Sequence, residues 1–135
     1  MKFKNAQVLS ISRYGPGAPR PAGMVMTATL KLEGQEIMLL NGGPEFKFTE
    51  AISFFVNCDG QEEVDWYWHQ LSAGGEEGPC GWLKDKFGLS WQIVPSILGQ
   101  LLGDPDPAKA GRAMQAMLQM RKLDIAALQR AHAGV

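Results

Sequence analysis

Apolar and polar residues alternate cleanly over residues 24–32, with Met24, Met26, Ala28, Leu30 and Leu32 on one side of the pleat, and more loosely from Gln7 to Tyr14. A period of two marks a strand with one face turned inward, so two strands are predicted. The nine residues between them, GPGAPRPAG, hold three prolines and three glycines, which bars ladder pairing and predicts an exposed loop. That loop reads as a long hairpin connection, or as a flap over a pocket. Glu33-Gly34-Gln35 is a turn, residues 36–41 return as a third strand, and Asn41-Gly42-Gly43-Pro44 breaks it.

The short run AISFFVNC, residues 51–58, is β-branched and aromatic and predicts a strand. Val64, Tyr67, Trp68 and Leu71 then recur at helical spacing, with Asp59 as the expected cap, Glu62 reaching back to it, and Gly74-Gly75 as the stop. Residues 81–87 and 89–94 flank Gly88 as a hairpin ended by Pro95. Beyond Pro95 the pattern turns helical: residues 96–102, a break at Gly103-Asp104-Pro105, and a helix capped by Asp106 with Pro107 in its first turn. Ala110, Ala113, Met114, Met117 and Leu118 form its expected apolar face, and a last helix starts at Asp124.

At 135 residues, 45% of them hydrophobic, the chain suffices for one domain with one core. A net charge of −1 offers no field for nucleic acid or an anionic membrane. Two cysteines, Cys58 and Cys80, form neither a disulfide framework nor a metal knuckle, which fits a reducing, cytoplasmic compartment. The opening MKFKNAQVLS has no signal-peptide pattern, and no stretch approaches the roughly 20 apolar residues of a spanning helix.

The segments NGGPEFKFTEAISFFVNC (41–58), EVDWYW (63–68), CGWLKDKFGLSWQIVP (80–95) and AMQAMLQMRKLDIAAL (113–128) resemble the PhnB-like branch of the glyoxalase-like (vicinal oxygen chelate) superfamily, labelled 3-demethylubiquinone-9 3-methyltransferase-like. The resemblance implies an α+β fold in which βαβββ units form a cupped mixed sheet. Within one domain spanning 1–135, residues 7–43 would be an incomplete first module, 51–95 a full βαβββ module and 96–135 a helical tail. Relatives carry a first strand and helix ahead of the meander that do not precede residue 7 here. The expectation is therefore an open edge and a bare apolar face covered in a homodimer or higher oligomer, or else a truncated reading frame.

Superfamily enzymes hold a divalent metal among His, Glu or Gln on the cup. By resemblance, Gln92 takes the place of the last metal Glu and can ligate only weakly, while Ala51 stands where a ligand His is common. No cofactor is expected. His69 and His132 read as solvated surface residues, and the acidic run Asp59, Glu62, Glu63, Asp65 with Glu76 and Glu77 as a solvated face. Cys80, with Lys84 and Lys86 nearby in sequence, is a conceivable nucleophile, though a small filler at a strand start is the plainer reading.

A Rossmann-type S-adenosylmethionine site needs a Gly-rich strand-to-helix turn, whereas Gly15-Pro16-Gly17 lies between strands, so the methyltransferase label finds no support in the residues. By alternation the cup would present Ser53, Phe55, Ser90 and Gln92, with Asn41 and Trp82 near the rim, and would turn Trp91 and Ile93 to the helices. This suits a small aromatic or carbonyl-bearing molecule. Two alternatives remain: a metal-dependent enzyme of lyase, isomerase or dioxygenase type completed by a partner chain, and an interaction module docking through Met114, Met117 and Met120.

Overall fold

The computed structural model describes residues 3–135, which divide into two compact units, one ending at Lys47 and the other spanning Phe48–Val135. The first unit is an antiparallel meander of Ala6–Arg13 (β1), Val25–Leu32 (β2) and Gln35–Leu40 (β3), in that spatial order. The Pro/Gly segment after β1 is a hairpin connection, closed by Tyr14 N–H to Met24 O at 2.9 Å and Gly23 N–H to Tyr14 O at 2.8 Å. Glu33 and Gly34, with φ of 47° and 86°, make the tight β2–β3 turn that two positive-φ residues permit. Asn5 clamps that turn through both carboxylate oxygens of Glu33.

Strand register sorts the meander into two unlike faces. Val8, Leu30 and Ile37 form one complete cross-strand row, and Ile11, Ala28 and Leu39 another, on the same apolar side. The opposite face carries Ser10, Thr29 and Met38, then Ser12, Thr27 and Leu40. None of the described residues of this unit is buried: Val8, Ile11 and Leu39 are each about half exposed.

The core lies in the second unit. Ser53–Cys58 (β4), Gln61–Ser72 (α1), Glu76–Glu77 (β5), Trp82–Lys84 (β6) and Ser90–Pro95 (β7) make the βαβββ module, with strand order β4-β7-β6-β5 and β4 parallel to β7. The two-residue β5 falls in what the sequence presents as a loop. Val64, Tyr67, Trp68 and Leu71 bury the apolar stripe of α1, and α1 packs on β4, β6 and β7. Below it are Cys58, Leu83, Trp91 and Ile93, all buried and all on one side of the sheet by register. Burial, with Glu63 adding to it, pushes the Cys58 thiol up to about 12, so it stays protonated and packs as an apolar group.

The start of α1 differs from the expected box. Gly60, at φ 88°, holds the cap position without a side-chain cap, and Glu63 rather than Glu62 reaches back, taking Asp59 N–H at 3.0 Å. Gly60 reaches that backbone conformation without strain, and one helical turn brings residue 63 over residue 59.

The tail forms Ile97–Leu102 (α2), Pro107–Leu118 (α3) and Ile125–Ala133 (α4). Asp106 caps α3 by accepting from Ala108 N–H, and Asp124 caps α4 by accepting from Ala127 N–H, each at 2.9 Å. Val94 joins a second buried cluster with Leu98, Leu101, Ala113, Leu123 and Leu128. Of the expected apolar face of α3 only Ala113 is fully buried; Met117 packs against the cluster, while Met114 and Leu118 are exposed.

Polar contacts tie the tail to the module. Gln61 Nε2 donates to Leu123 O at 3.0 Å while its Oε1 accepts from Ile125 N–H at 2.7 Å. Cys80 and Gly81 N–H donate to Met120 O and Arg121 O, each at 2.8 Å. His132 is not a solvated residue of a loose end: its Nε2 lies 2.8 Å from Asp104 Oδ2, and Arg112 donates to the carbonyls of Ala131 and His132. The fixed C-terminus of α4 brings together residues 28 positions apart, which helical periodicity alone does not reveal. No helix among the described residues is long and apolar enough to cross a membrane.

Candidate functional site

The side of the second sheet turned away from α1 carries the chemistry. Paired residues of neighbouring strands project to the same side, so the ladder reads as rows. The first row is Ser53 (β4), Ser90 (β7), Lys84 (β6) and Glu76 (β5); the second is Phe55, Gln92 and Trp82. The register puts Ser53, Phe55, Ser90 and Gln92 on one side and Trp91 and Ile93 on the other, as alternation predicts, and adds Trp82, expected near the rim, to the first side. Phe55 is 59% exposed, so the second row is no packed core: it is an amide between two accessible aromatic side chains.

The polar groups are partly committed. Gln92 Nε2 donates to Ser53 Oγ at 3.0 Å, which fixes the amide and leaves its carbonyl oxygen as the acceptor for a ligand. Lys84 is ion-paired with Glu50, which enters from the segment before β4. The ammonium holds the Glu50 carboxyl below its ordinary value by hydrogen bonding, and Glu50 in turn holds Lys84 above its own. Both groups stay charged across the neutral range. Glu77 lies on the helix side, where it accepts from Trp68 Nε1 at 2.8 Å.

A cleft of about 460 Å³ opens over this surface, lined by Trp82, Lys84, Ser90, Glu50 and Glu76 together with the Glu77–Pro79 backbone region and Leu83. At its floor Ser90 is 1% exposed, and its hydroxyl has no hydrogen-bond partner. Glu50, Lys84 and Glu76 enter this site only through the tertiary structure. Their presence among the sheet residues was foreshadowed only by the alternation Trp82, Lys84 on β6.

Asn41, the remaining rim candidate, belongs to the first unit, where its Nδ2 donates to Val25 O at 3.1 Å and its carbonyl accepts from Tyr14 Oη at 2.7 Å. Its amide closes the meander. Cys80 is half-buried with φ 56°, and its backbone N–H holds the tail; the nearby Lys84 ammonium is engaged by Glu50. His69 is an exposed residue of α1.

The open-face donor set is two hydroxyls, one amide and two carboxylates, one of them paired with an ammonium. Among the described residues no three of His, Cys, Asp or Glu converge. Such a set does not fit a divalent ion of the kind the superfamily uses, because hydroxyl and amide oxygens replace the anionic or imidazole donors and Lys84 competes for the carboxylate.

A family described as 3-demethylubiquinone-9 3-methyltransferase matches residues 1–94. A solved Bacillus cereus structure, described as a putative 3-demethylubiquinone-9 3-methyltransferase and PhnB protein, is 36% identical; the match covers 70% of this chain and 82% of that one, with a TM-score of 0.62. A Pseudomonas aeruginosa protein of known structure is 20% identical over 66% of this chain and 77% of its own, with a TM-score of 0.52, and shares the fold. Among curated proteins none matches the chain.

Proposed function

We propose, for a chain that belongs to the 3-demethylubiquinone-9 3-methyltransferase family and has its PhnB-like, glyoxalase-like fold, that the open face of the second sheet binds a small organic molecule without a metal. The observation that carries this reading is the exposed row Phe55, Gln92, Trp82, with the Gln92 amide pre-set by Ser53. Two aromatic side chains supply stacking area and one oriented carbonyl supplies direction, the combination that small-molecule sites use. The metal-dependent alternative gains nothing from the donor set. Methyl transfer from S-adenosylmethionine gains nothing either: the Pro/Gly segment joins two antiparallel strands, and the β4-to-α1 turn has Gly60 alone and acidic residues Glu62 and Glu63 in the first helical turn.

A thermal-shift screen with quinones, dicarbonyls and aromatic acids tests the site. A ligand present at about 100 times its Kd adds about 2.7 kcal/mol to stability and raises Tm by roughly 10–20 °C. Trp82→Ala and Gln92→Ala are each expected to remove that rise. A hit whose shift survives both substitutions binds elsewhere and overturns the reading.

The first unit supports a second element of the proposal, a homodimer. In its two apolar rows Val8, Ile11 and Leu39 are exposed and Ala28, Leu30 and Ile37 are only partly buried, β3 pairs among the described residues with β2 alone, and the rows carry no charge, so two copies of this face meet without like-charge repulsion. The expected mass from light scattering at micromolar concentration is twice the 14.8 kDa of one chain, falling to one chain in Leu39→Glu. A monodisperse parent monomer would discard the dimer.

A further inference from the structure

We propose that the cleft over Ser90 is a subsite for a small protonated amine that also carries a hydroxyl group, with Ser90 anchoring the hydroxyl and Glu76 facing the ammonium. This deepens the reading of the open face and rests on it.

Two independent observations lead here. The first is the Ser90 hydroxyl, 99% buried by residue area and without a partner, at the floor of the cleft. Buried hydroxyls in folded proteins are almost always bonded, because water has been given up and must be replaced. Its β4 neighbour Ser53 is turned to Gln92 and its β6 neighbour Lys84 to Glu50, and neither bonds it. A group entering the cleft with one donor or acceptor meets that need.

The second is charge. Glu50, Glu76 and Glu77 line the cleft against the single cation Lys84. Lys84 is neutralised by Glu50, and the Glu77 side chain turns to the helix side to bond the Trp68 indole, so Glu76 is the carboxylate left facing the cleft. An anionic ligand would therefore find the cleft's lysine engaged and the Glu76 carboxylate nearby. A protonated amine finds attraction from Glu76, with Trp82 beside it as a further cation-binding surface. The row Ser90, Lys84, Glu76 spans two strand spacings, about 10 Å, comparable to the hydroxyl-to-ammonium length of a hydroxyaryl ethylamine.

Isotope-labelled protein titrated with tyramine, 4-ethylphenol and 4-hydroxyphenylacetate presents one shape as cation, neutral and anion, read at the Ser90 amide and the Trp82 indole N–H by NMR. Tyramine is expected to bind about tenfold or more tighter than 4-hydroxyphenylacetate. Glu76→Gln should remove most of that discrimination while 4-ethylphenol is unaffected. Ser90→Ala should weaken tyramine about tenfold, while the free variant melts no lower than the parent, since the hydroxyl it loses has no partner. Anion binding equal to or tighter than tyramine, with Trp82 still responding, overturns the amine preference and leaves the open-face reading intact. Tyramine binding indifferent to Ser90→Ala, or no response at either signal, overturns the subsite; the open-face reading itself then stands or falls on the quinone and dicarbonyl screen.

Discussion

Asp85→Ala is expected to lower the unfolding free energy by about 3 kcal/mol, a fall of roughly 12–24 °C in Tm for a unit of this size. One carboxylate organises the whole β6–β7 connection. Its Oδ1 accepts from Phe87 N–H at 2.9 Å and Leu89 N–H at 3.1 Å, and its Oδ2 accepts from Trp91 Nε1 at 2.9 Å. Two of these bonds close the turn and the third orients an indole that is 7% exposed and stands edge-on to Phe54 at 5.2 Å. Bonds to an ionised acceptor are worth more than neutral ones, and removing the acceptor withdraws all three at once. Denaturant unfolding of Asp85→Ala and Asp85→Asn measures the effect, the asparagine recovering about half because one oxygen acceptor remains. A loss below about 1 kcal/mol in the alanine variant would mean the turn closes without its carboxylate.

Gly81→Ala is expected to cost a comparable amount, about 3 kcal/mol, by a different route. Gly81 has φ 85°, and an added Cβ would stand 2.9 Å from Ile93 O and 3.1 Å from Leu123 Cδ1. The glycine is pinned there: its N–H donates to Arg121 O and its carbonyl accepts from Ile93 N–H, both at 2.8 Å, so retreat breaks the tail attachment or the β7 ladder. Gly88 supplies the control, since its φ is 86° but nothing lies within 4 Å of the added carbon. Gly88→Ala therefore isolates the backbone strain, about 1 kcal/mol. Equal losses in the two variants would show that steric contact at Gly81 contributes nothing.

The residues that identify the fold are thus partly its fasteners. In CGWLKDKFGLSWQIVP, Gly81 and Asp85 hold the tail and the hairpin, while Trp82, Ser90 and Gln92 share the open side of the sheet. Alternation along β7 was enough to separate Ser90 and Gln92 from Trp91 and Ile93, because a strand sends successive side chains to opposite sides whatever packs against them. The helix caps Asp106 and Asp124 were legible for a similar reason: capping is a local bond between a side chain and a backbone group two or three residues on.

Other features depend on distance in space. Glu50 precedes β4 and Lys84 lies on β6, and nothing in either neighbourhood announces their ion pair. His132 and Asp104 meet only because α3 and α4 pack with the tail's ends adjacent. Cys58 and Cys80 look alike in composition, but burial makes the first an inert apolar group while the second sits half-buried at a positive φ.

Local periodicity and turn chemistry, which act over a few residues, therefore determined the strands other than β5, the four helices, the caps of α3 and α4 and the two faces of the βαβββ module from the amino-acid order alone. The tertiary structure decided what those faces meet. It left the meander's apolar rows only partly covered, turned a loop pair into the edge strand that carries Glu76, and buried Ser90 without a partner beneath an acidic cleft. Burial and charge at a point are sums over neighbours from distant parts of the chain, and only folding brings those neighbours together.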